Sequence, residues 1–106
     1  MIISNTDYIA GYEITEMIDI ARGSTVRARN VGRDIGAVFK NFVGGEIRQY
    51  TRLMSSAREE AIDRMIADAD RMGADAIINV RFMTSAVMQG ASEILAYGTA
   101  VKVRKK

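Results

Sequence analysis

The chain has 106 residues, of which 48% are hydrophobic and 26% are charged, so we expect one globular domain over residues 1–106. It has no cysteine and no histidine, which excludes disulfides, thiolate or imidazole metal sites, and catalysis by Cys/His or Ser/His pairs. The net charge is +2, but residues 1–20 are acidic and residues 21–56 carry seven basic side chains against two acidic ones.

The first two predicted elements are a long strand and a short helix. Residues 12–29 are predicted to be extended, because isoleucines, Thr25 and Val26 favour strand, and we expect Gly23 to mark a bend or bulge there. Apolar residues at helical spacing predict a short helix over residues 33–43, which Gly44 and the following glycine end.

A long helix is predicted over residues 46–72. Its apolar stripe steps by three and four residues through Ile47, Tyr50, Met54, Ala57, Ala61, Met65, Ala69 and Met72. A capping box at Ser56 offers an alternative start, but the stripe continues back to Ile47 and favours one helix. We interpret the methionines of the stripe as core residues rather than metal ligands.

Two final strands are predicted over residues 76–82 and 93–104, joined by a turn at residues 89–92 into an antiparallel hairpin. The even positions of the second strand, Ile94, Ala96, Gly98 and Ala100, are mostly small and let a helix lie close. The chain is thus predicted to be an α+β domain of order β-α-β-β, with one short and one long helix on a three-stranded antiparallel sheet in two layers.

Two features predict assembly into a homo-oligomer. The last strand carries apolar residues on both faces, yet a two-layer domain covers only one of them. The long helix, at about 40 Å, also outreaches a compact domain of this length, whose radius of gyration is about 13 Å. The N-terminus lacks signal-peptide features and no apolar run reaches membrane-spanning length, so we expect a cytoplasmic protein with no membrane contact.

Two segments are candidate ligand sites. Arg27, Arg29 and Arg33 lie at the N-terminal end of the predicted short helix, where they could bind an anion or nucleic acid, although ion pairs between subunits explain them more simply. Asn79 and Arg81 share one parity of a strand with Asp75, and Glu93 stands at the start of the next strand. This polar row could line a pocket or pore at a subunit interface, or form a cross-strand network.

Metal binding and catalysis have less support. Carboxylates near the end of the long helix, Asp68, Asp70 and Asp75, or the group of Glu59, Glu60 and Asp63, are left for hard cations, but no calcium-loop order is visible. No pair of acids is placed in a shared cleft. We expect no metal site, no cofactor and no enzymatic activity, with a carboxylate metal site or the arginine segment 27–33 as alternatives.

Four stretches resemble the YbjQ-like family of small uncharacterised proteins, which are labelled as heavy-metal-binding. They are GYEITEMIDIARGSTVRARNVGRDI (11–35), VGGEIRQYT (43–51), AREEAIDRMIADADRMGADAIINVRF (57–82) and MQGASEILAYGTAVKV (88–103). The resemblance implies a subunit similar to the dodecin fold, assembled as a pentameric ring or as two stacked pentamers. It implies no activity, and the metal label conflicts with a chain that has neither thiolate nor imidazole.

Overall fold

The structure is a computed structural model, which describes residues 1–28 and 46–106. In chain order these residues form β1 (Ile2–Ile3), β2 (Tyr12–Ala28), α1 (Glu46–Arg71), β3 (Ala76–Met88) and β4 (Ala91–Lys105). The predicted α+β class is confirmed. The short helix predicted over residues 33–43 lies outside the described residues. No helix within the described part of the chain is long and apolar enough to cross a membrane.

The sheet has four strands in the order β1-β3-β4-β2 and is mixed, because β1 runs parallel to β3 while the other neighbours are antiparallel. The prediction of a three-stranded antiparallel sheet is therefore wrong. Beyond β1, the Ser4 amide donates to the Ile77 carbonyl oxygen at 2.9 Å. A strand of two residues leaves no alternation of apolar and polar positions, so the sequence pattern could not reveal it.

The long helix α1 begins at Glu46, so the prediction of one continuous helix is confirmed and the alternative start at Ser56 is wrong. From Met54 onward the predicted stripe faces the sheet. Ala57, Ala61, Met65 and Ala69 are fully buried there, together with Ile94, Ala96 and Ala100 of β4. The small side chains on both elements let the helix and sheet approach closely, as predicted.

Gly23 is the point where α1 comes nearest to β2. A Cβ at this position would lie 2.3 Å from the backbone nitrogen of Met65 and 2.4 Å from the carbonyl oxygen of Ala61. Two residues along, the buried Thr25 hydroxyl donates to the Ala57 carbonyl oxygen at 3.0 Å. The prediction of a bend or bulge at Gly23 is wrong, because Gly23 of β2 pairs in regular register with Ala96 of β4. The glycine instead allows α1 to pack closely on β2.

The irregular positions of β2 lie nearer its start, where the register with β4 shifts between Ile14 and Glu16 and again between Met17 and Asp19. The hairpin of β3 and β4 turns at Gly90, whose φ is 80°. Both strands are longer than predicted.

A second, smaller core lies on the sheet face away from the helix. Ala76, Ile78 and Val101 are buried there against Ile2 and Ile9, which belong to the N-terminal segment, and against neighbouring strand residues. The N-terminal segment thus covers this face at one end of the sheet only.

Candidate functional site

The backbone of β3 bulges at Asn79 and Val80, which together oppose the single residue Gly98 of β4. Asn79 has a φ of 54°, a left-handed conformation that asparagine tolerates better than most residues. A Cβ at Gly98 would lie 2.7 Å from the Cγ2 atom of Ile77 and 2.8 Å from the carbonyl oxygen of Ile78. Only glycine therefore fits beneath the bulge.

The N-terminal segment pairs with the bulge. The Asn79 amide donates to the Thr6 carbonyl oxygen at 2.9 Å, and the Val80 amide donates to the Ser4 carbonyl oxygen at 3.0 Å. The extra residue of the bulge therefore keeps its backbone hydrogen bonds, and the bulge is held by two segments far apart in the sequence.

The bulge changes which face each residue of β3 occupies. Val80 packs against the helix side, whereas Arg81 pairs with Tyr97 on the opposite face. The prediction that Asp75, Asn79 and Arg81 form one polar row is therefore wrong. Asp75 lies at the start of β3, where its carboxylate accepts a hydrogen bond from the Val103 amide at 3.0 Å.

The guanidinium of Arg81 is held by neutral acceptors. Its Nη1 donates to the carbonyl oxygen of Asn5 at 2.8 Å and to that of Val80 at 3.0 Å. Of the ion pairs formed by the residues that the structure describes, none includes Arg81. A positive charge is thus fixed in position by backbone dipoles rather than by a carboxylate.

An open pocket of about 320 Å³ lies beside the bulge. It combines a guanidinium, an amide and a hydroxyl group with an aliphatic and an aromatic side chain, and it is lined by Ile20, Asn79, Arg81, Tyr97, Gly98 and Thr99. No acidic side chain is among these lining residues. Two of the residues singled out in the sequence, Asn79 and Arg81, therefore meet at one pocket, although the row with Asp75 does not exist.

The third candidate, Arg27, points to the helix instead. It forms an ion pair with Glu60 of α1, whose other oxygen accepts a hydrogen bond from Arg64 at 2.6 Å. The Arg27 hydrogen bond and the charges of both arginines hold the pKa of the Glu60 carboxyl below its ordinary value. Arg29 and Arg33 lie outside the described residues, so the structure places only one member of the arginine segment.

The free edge of β2 is closed by side chains. The Arg22 amide donates to the Asp68 carboxylate at 3.0 Å, and Arg64 donates to the Ser24 carbonyl oxygen at 2.6 Å. The backbone hydrogen bond from Arg22, supported by Arg71 at 2.8 Å, holds the pKa of Asp68 below its ordinary value. These contacts occupy backbone groups that an added strand would need.

The residues present do not fit a heavy-metal site. The chain has no thiolate or imidazole to offer a soft metal. Of the carboxylates weighed as ligands for hard cations, Asp68 and Glu60 bind arginines and backbone, and Asp75 binds the Val103 amide. Over residues 1–28 and 46–106, no three acidic residues come together as a metal cluster.

A large part of the sheet face away from α1 is uncovered. Cross-strand partners share a face, so Met17, Ile20 and Val26 of β2 lie on the same side as Tyr97 and its neighbours on β4. These three side chains are 70%, 54% and 54% exposed. Met83 of β3, which pairs with Leu95 on this face, is 52% exposed.

The sequence did not predict that Ile20, Tyr97 and Thr99 line the pocket, because the bulge in β3 brings these residues together with Asn79 and Arg81. An asparagine in an otherwise apolar run was the available signal, since asparagine is among the few residues that accept a positive φ. Asn5, the N-terminal residue that binds Arg81, acts through its backbone carbonyl, so its side chain gives no signal in the sequence.

The fold and the pocket can be set beside known proteins. A family model described as "Putative heavy-metal-binding" matches residues 1–104. The chain is 57% identical over 106 residues to a "UPF0145 protein" of Methanosarcina acetivorans, covering all of both chains. It is 59% identical over 103 residues to "UPF0145 protein PBPRB0184" of Photobacterium profundum, covering 97% of this chain and 100% of that one.

A crystal structure from Pediococcus pentosaceus, titled as a protein of unknown function of the DUF74 family, has a similar fold. Its TM-score is 0.59 at 18% identity, and the match covers 98% of each chain. The match over nearly the full length, together with the identity to complete relatives, shows that this chain belongs to the YbjQ-like, UPF0145 family.

Proposed function

We propose that this protein is a non-enzymatic self-assembling protein, in which copies of the chain cover the sheet face that α1 leaves open. The observation that carries the proposal is the row of apolar side chains on that face, Met17, Ile20 and Val26, each more than half exposed. Apolar side chains that follow one face of a sheet are the usual contents of a core or an interface.

The surface area of one chain supports this proposal. A folded monomer of 11.7 kDa is expected to expose about 5,900 Å². This chain exposes 7070 Å², an excess of about 1,200 Å² over that expectation. A stable interface buries about 800 Å² from each partner, so the excess is large enough for one such interface and part of another.

The shape of the chain points the same way. Its extents are 57 × 21 × 16 Å and its Cα radius of gyration is 17.5 Å. A compact domain of this length has a radius of gyration of about 13 Å. A thin, elongated subunit has little core of its own, and contact between its faces and other copies adds the missing burial.

The closed edge of β2 favours assembly through the face rather than by pairing of β2 with a foreign strand. Asp68 and Arg64 already bind the Arg22 amide and the Ser24 carbonyl oxygen. A strand added at β2 would have to displace both side chains from the backbone groups that they bind, which costs more than adding a strand to an open edge. The number of copies, a pentamer or two stacked pentamers, rests on the family resemblance.

Variants of the uncovered face test the proposal. Val26→Glu and Met17→Glu place a charge within the proposed interface, so each should reduce the mass of the assembly measured by size exclusion with light scattering. Asp63→Lys, on the exposed side of α1, is the matched control and should leave the mass unchanged. Equal masses for all of these proteins would contradict the proposal.

The two alternative functions have less support. Binding of metal through Asp68 would require this carboxylate to leave the Arg22 amide and Arg71, and binding through Glu60 would require it to leave Arg27 and Arg64. Binding of nucleic acid through residues 27–33 would require Arg27 to leave Glu60. Each would therefore cost existing interactions, whereas coverage of the apolar face breaks none of these contacts.

A further inference from the structure

We propose that the pocket beside the β3 bulge binds a small organic carboxylate whose apolar part is about the size of one aromatic ring. This site rests on the proposed function, because the pocket opens on the sheet face that other copies would cover, and the ligand would then lie enclosed between one copy and the next. It stands on residues of a single chain, however, so it can be tested separately from assembly.

The charge of the pocket selects an anion. Arg81 is the one charged residue among the six that line it. Its guanidinium is anchored through Nη1 to the carbonyl oxygens of Asn5 and Val80, which leave its positive charge uncompensated. A guanidinium held in place loses little further side-chain entropy when an anion binds, which favours binding.

The number of cationic groups favours a carboxylate over a phosphate. One planar guanidinium matches the two coplanar oxygens of a carboxylate, and the amide of Asn79 and the hydroxyl of Thr99 are the neighbouring polar groups of the pocket wall. A phosphate carries more charge and is usually held by several cations or by a row of backbone amides. Within the described pocket wall, only one cationic side chain is present.

The apolar wall and the size of the pocket define the rest of the ligand. Ile20 and the ring of Tyr97 provide an aliphatic and an aromatic surface beside the guanidinium. A volume of about 320 Å³ lies at the low end of small-molecule sites, so one ring with a carboxylate fits the space better than a dinucleotide. Ile20 is 54% exposed in one chain, and a ligand ring stacked on it would remove apolar surface from water.

Benzoate is the probe, and its binding to the full chain can be measured by isothermal titration calorimetry. Benzyl alcohol has the ring without the charge, acetate has the charge without the ring, and inorganic phosphate is a general anion. We expect benzoate to saturate at one equivalent per chain and each of the three other compounds to bind at least about ten-fold more weakly. Equal binding of benzyl alcohol or phosphate would overturn the assignment.

Variants locate the site. Arg81→Gln should weaken benzoate binding by about ten-fold or more, and Arg81→Lys should weaken it less, because lysine keeps the charge but not the planar fork. Thr99→Val, which keeps the shape of a half-buried strand residue, should weaken binding without loss of the fold. The matched control is Arg104→Gln, since Arg104 lies near the end of β4 and pairs with Glu13 at 2.5 Å. Equal affinities of Arg81→Gln and Arg104→Gln for benzoate would show that benzoate does not bind in the pocket beside the bulge.

The same samples separate this inference from the proposed function. Sedimentation velocity in the titration buffer gives the mass of each sample with and without benzoate. A chain that stays monomeric and still binds benzoate through Arg81 would refute assembly and support the pocket. An assembled chain that does not bind benzoate would refute the pocket and leave assembly standing.

Discussion

Replacing Gly23 by alanine tests the packing of α1 on β2, on which the whole two-layer arrangement depends. The new Cβ would lie 2.3 Å from the Met65 nitrogen, 2.4 Å from the Ala61 oxygen and 2.7 Å from the Arg64 carbonyl carbon. All three are backbone atoms of a regular helix, so no side-chain rotation can relieve the contact. Ordinary van der Waals contact needs about 3.4 Å, and the helix must therefore move away by about 1 Å.

The cost of that movement follows from what the helix buries. A gap of about 1 Å removes roughly a quarter to a half of the dispersion attraction across an interface. The fully buried stripe of Met65 and three alanines contributes about 5 kcal/mol in transfer free energy, so about 1–2.5 kcal/mol is lost. The hydrogen bond from Thr25 to Ala57 lengthens as well, at about 1 kcal/mol. We expect Gly23→Ala to lower the free energy of unfolding by about 2–3.5 kcal/mol.

Urea unfolding followed by circular dichroism measures this change, at one fixed subunit concentration because assembly would couple to stability. Gly11→Ala is the control, since Gly11 has a φ of 82° but no atom within 4 Å of its added Cβ, and it should lose only about 1–2 kcal/mol through backbone strain. Without a clash, alanine in a strand should stabilise by restricting the unfolded chain. A neutral or stabilising Gly23→Ala, or its rescue by Met65→Ala, would refute the reasoning.

The remaining predictions concern hydrogen bonds, charge and backbone conformation. Thr25→Val removes the hydroxyl that binds the Ala57 carbonyl and should cost about 1 kcal/mol of unfolding free energy in urea; no loss would mean that this bond is not formed. Because the folded pKa values of Glu60 and Asp68 lie below the ordinary 4.5 and 3.8, their contribution to stability is present above about pH 5 and is lost as the pH falls through the lowered values. Glu60→Gln and Asp68→Asn should flatten this acid loss in thermal melts from pH 7 to pH 2, and unchanged profiles would contradict the role of these carboxyls. Asn79→Gly should be neutral or stabilising by up to about 1 kcal/mol, whereas Asn79→Ala should destabilise, and the reverse order in urea unfolding would contradict the left-handed backbone there.

The elements with strong periodicity were predictable from the sequence. The stripe through Ala57, Ala61 and Met65 follows the helical repeat over many turns, and it predicted both the length of α1 and the face that it buries. The small residues at alternate positions of β4 likewise predicted which face of this strand meets the helix. Successive side chains of a strand point to opposite faces, so only one face of β4 carries the small residues that allow close packing.

The features that the sequence did not predict depend on contacts between residues that are far apart in the chain. The close approach at Gly23 and the tight fit of Gly98 both reflect atoms on other elements, and a glycine in a strand pattern does not tell a bend from a close contact. Strand β1 is too short to show a period.

Part of the candidate site was predictable from the sequence, and the rest depends on contacts between residues that are far apart in the chain. Asn79 and Arg81 stood out as polar residues in an apolar strand, and the structure places both at one pocket. The prediction that Asp75 lies in the same row was wrong. The bulge adds one residue between the start and the middle of β3 and so reverses which sheet face the later residues occupy. Arg27 was expected to serve an anion or another subunit, but its partner Glu60 lies on the outer part of the same chain's helix.

Sedimentation equilibrium of the unmodified chain over a range of micromolar concentrations tests most directly whether other copies cover the open sheet face. We expect a folded species whose mass is a multiple of 11.7 kDa, five-fold for a single ring of the kind that the family resemblance implies. A species of 11.7 kDa that stays folded and soluble at every concentration, with Met17, Ile20 and Val26 exposed to water, would contradict it.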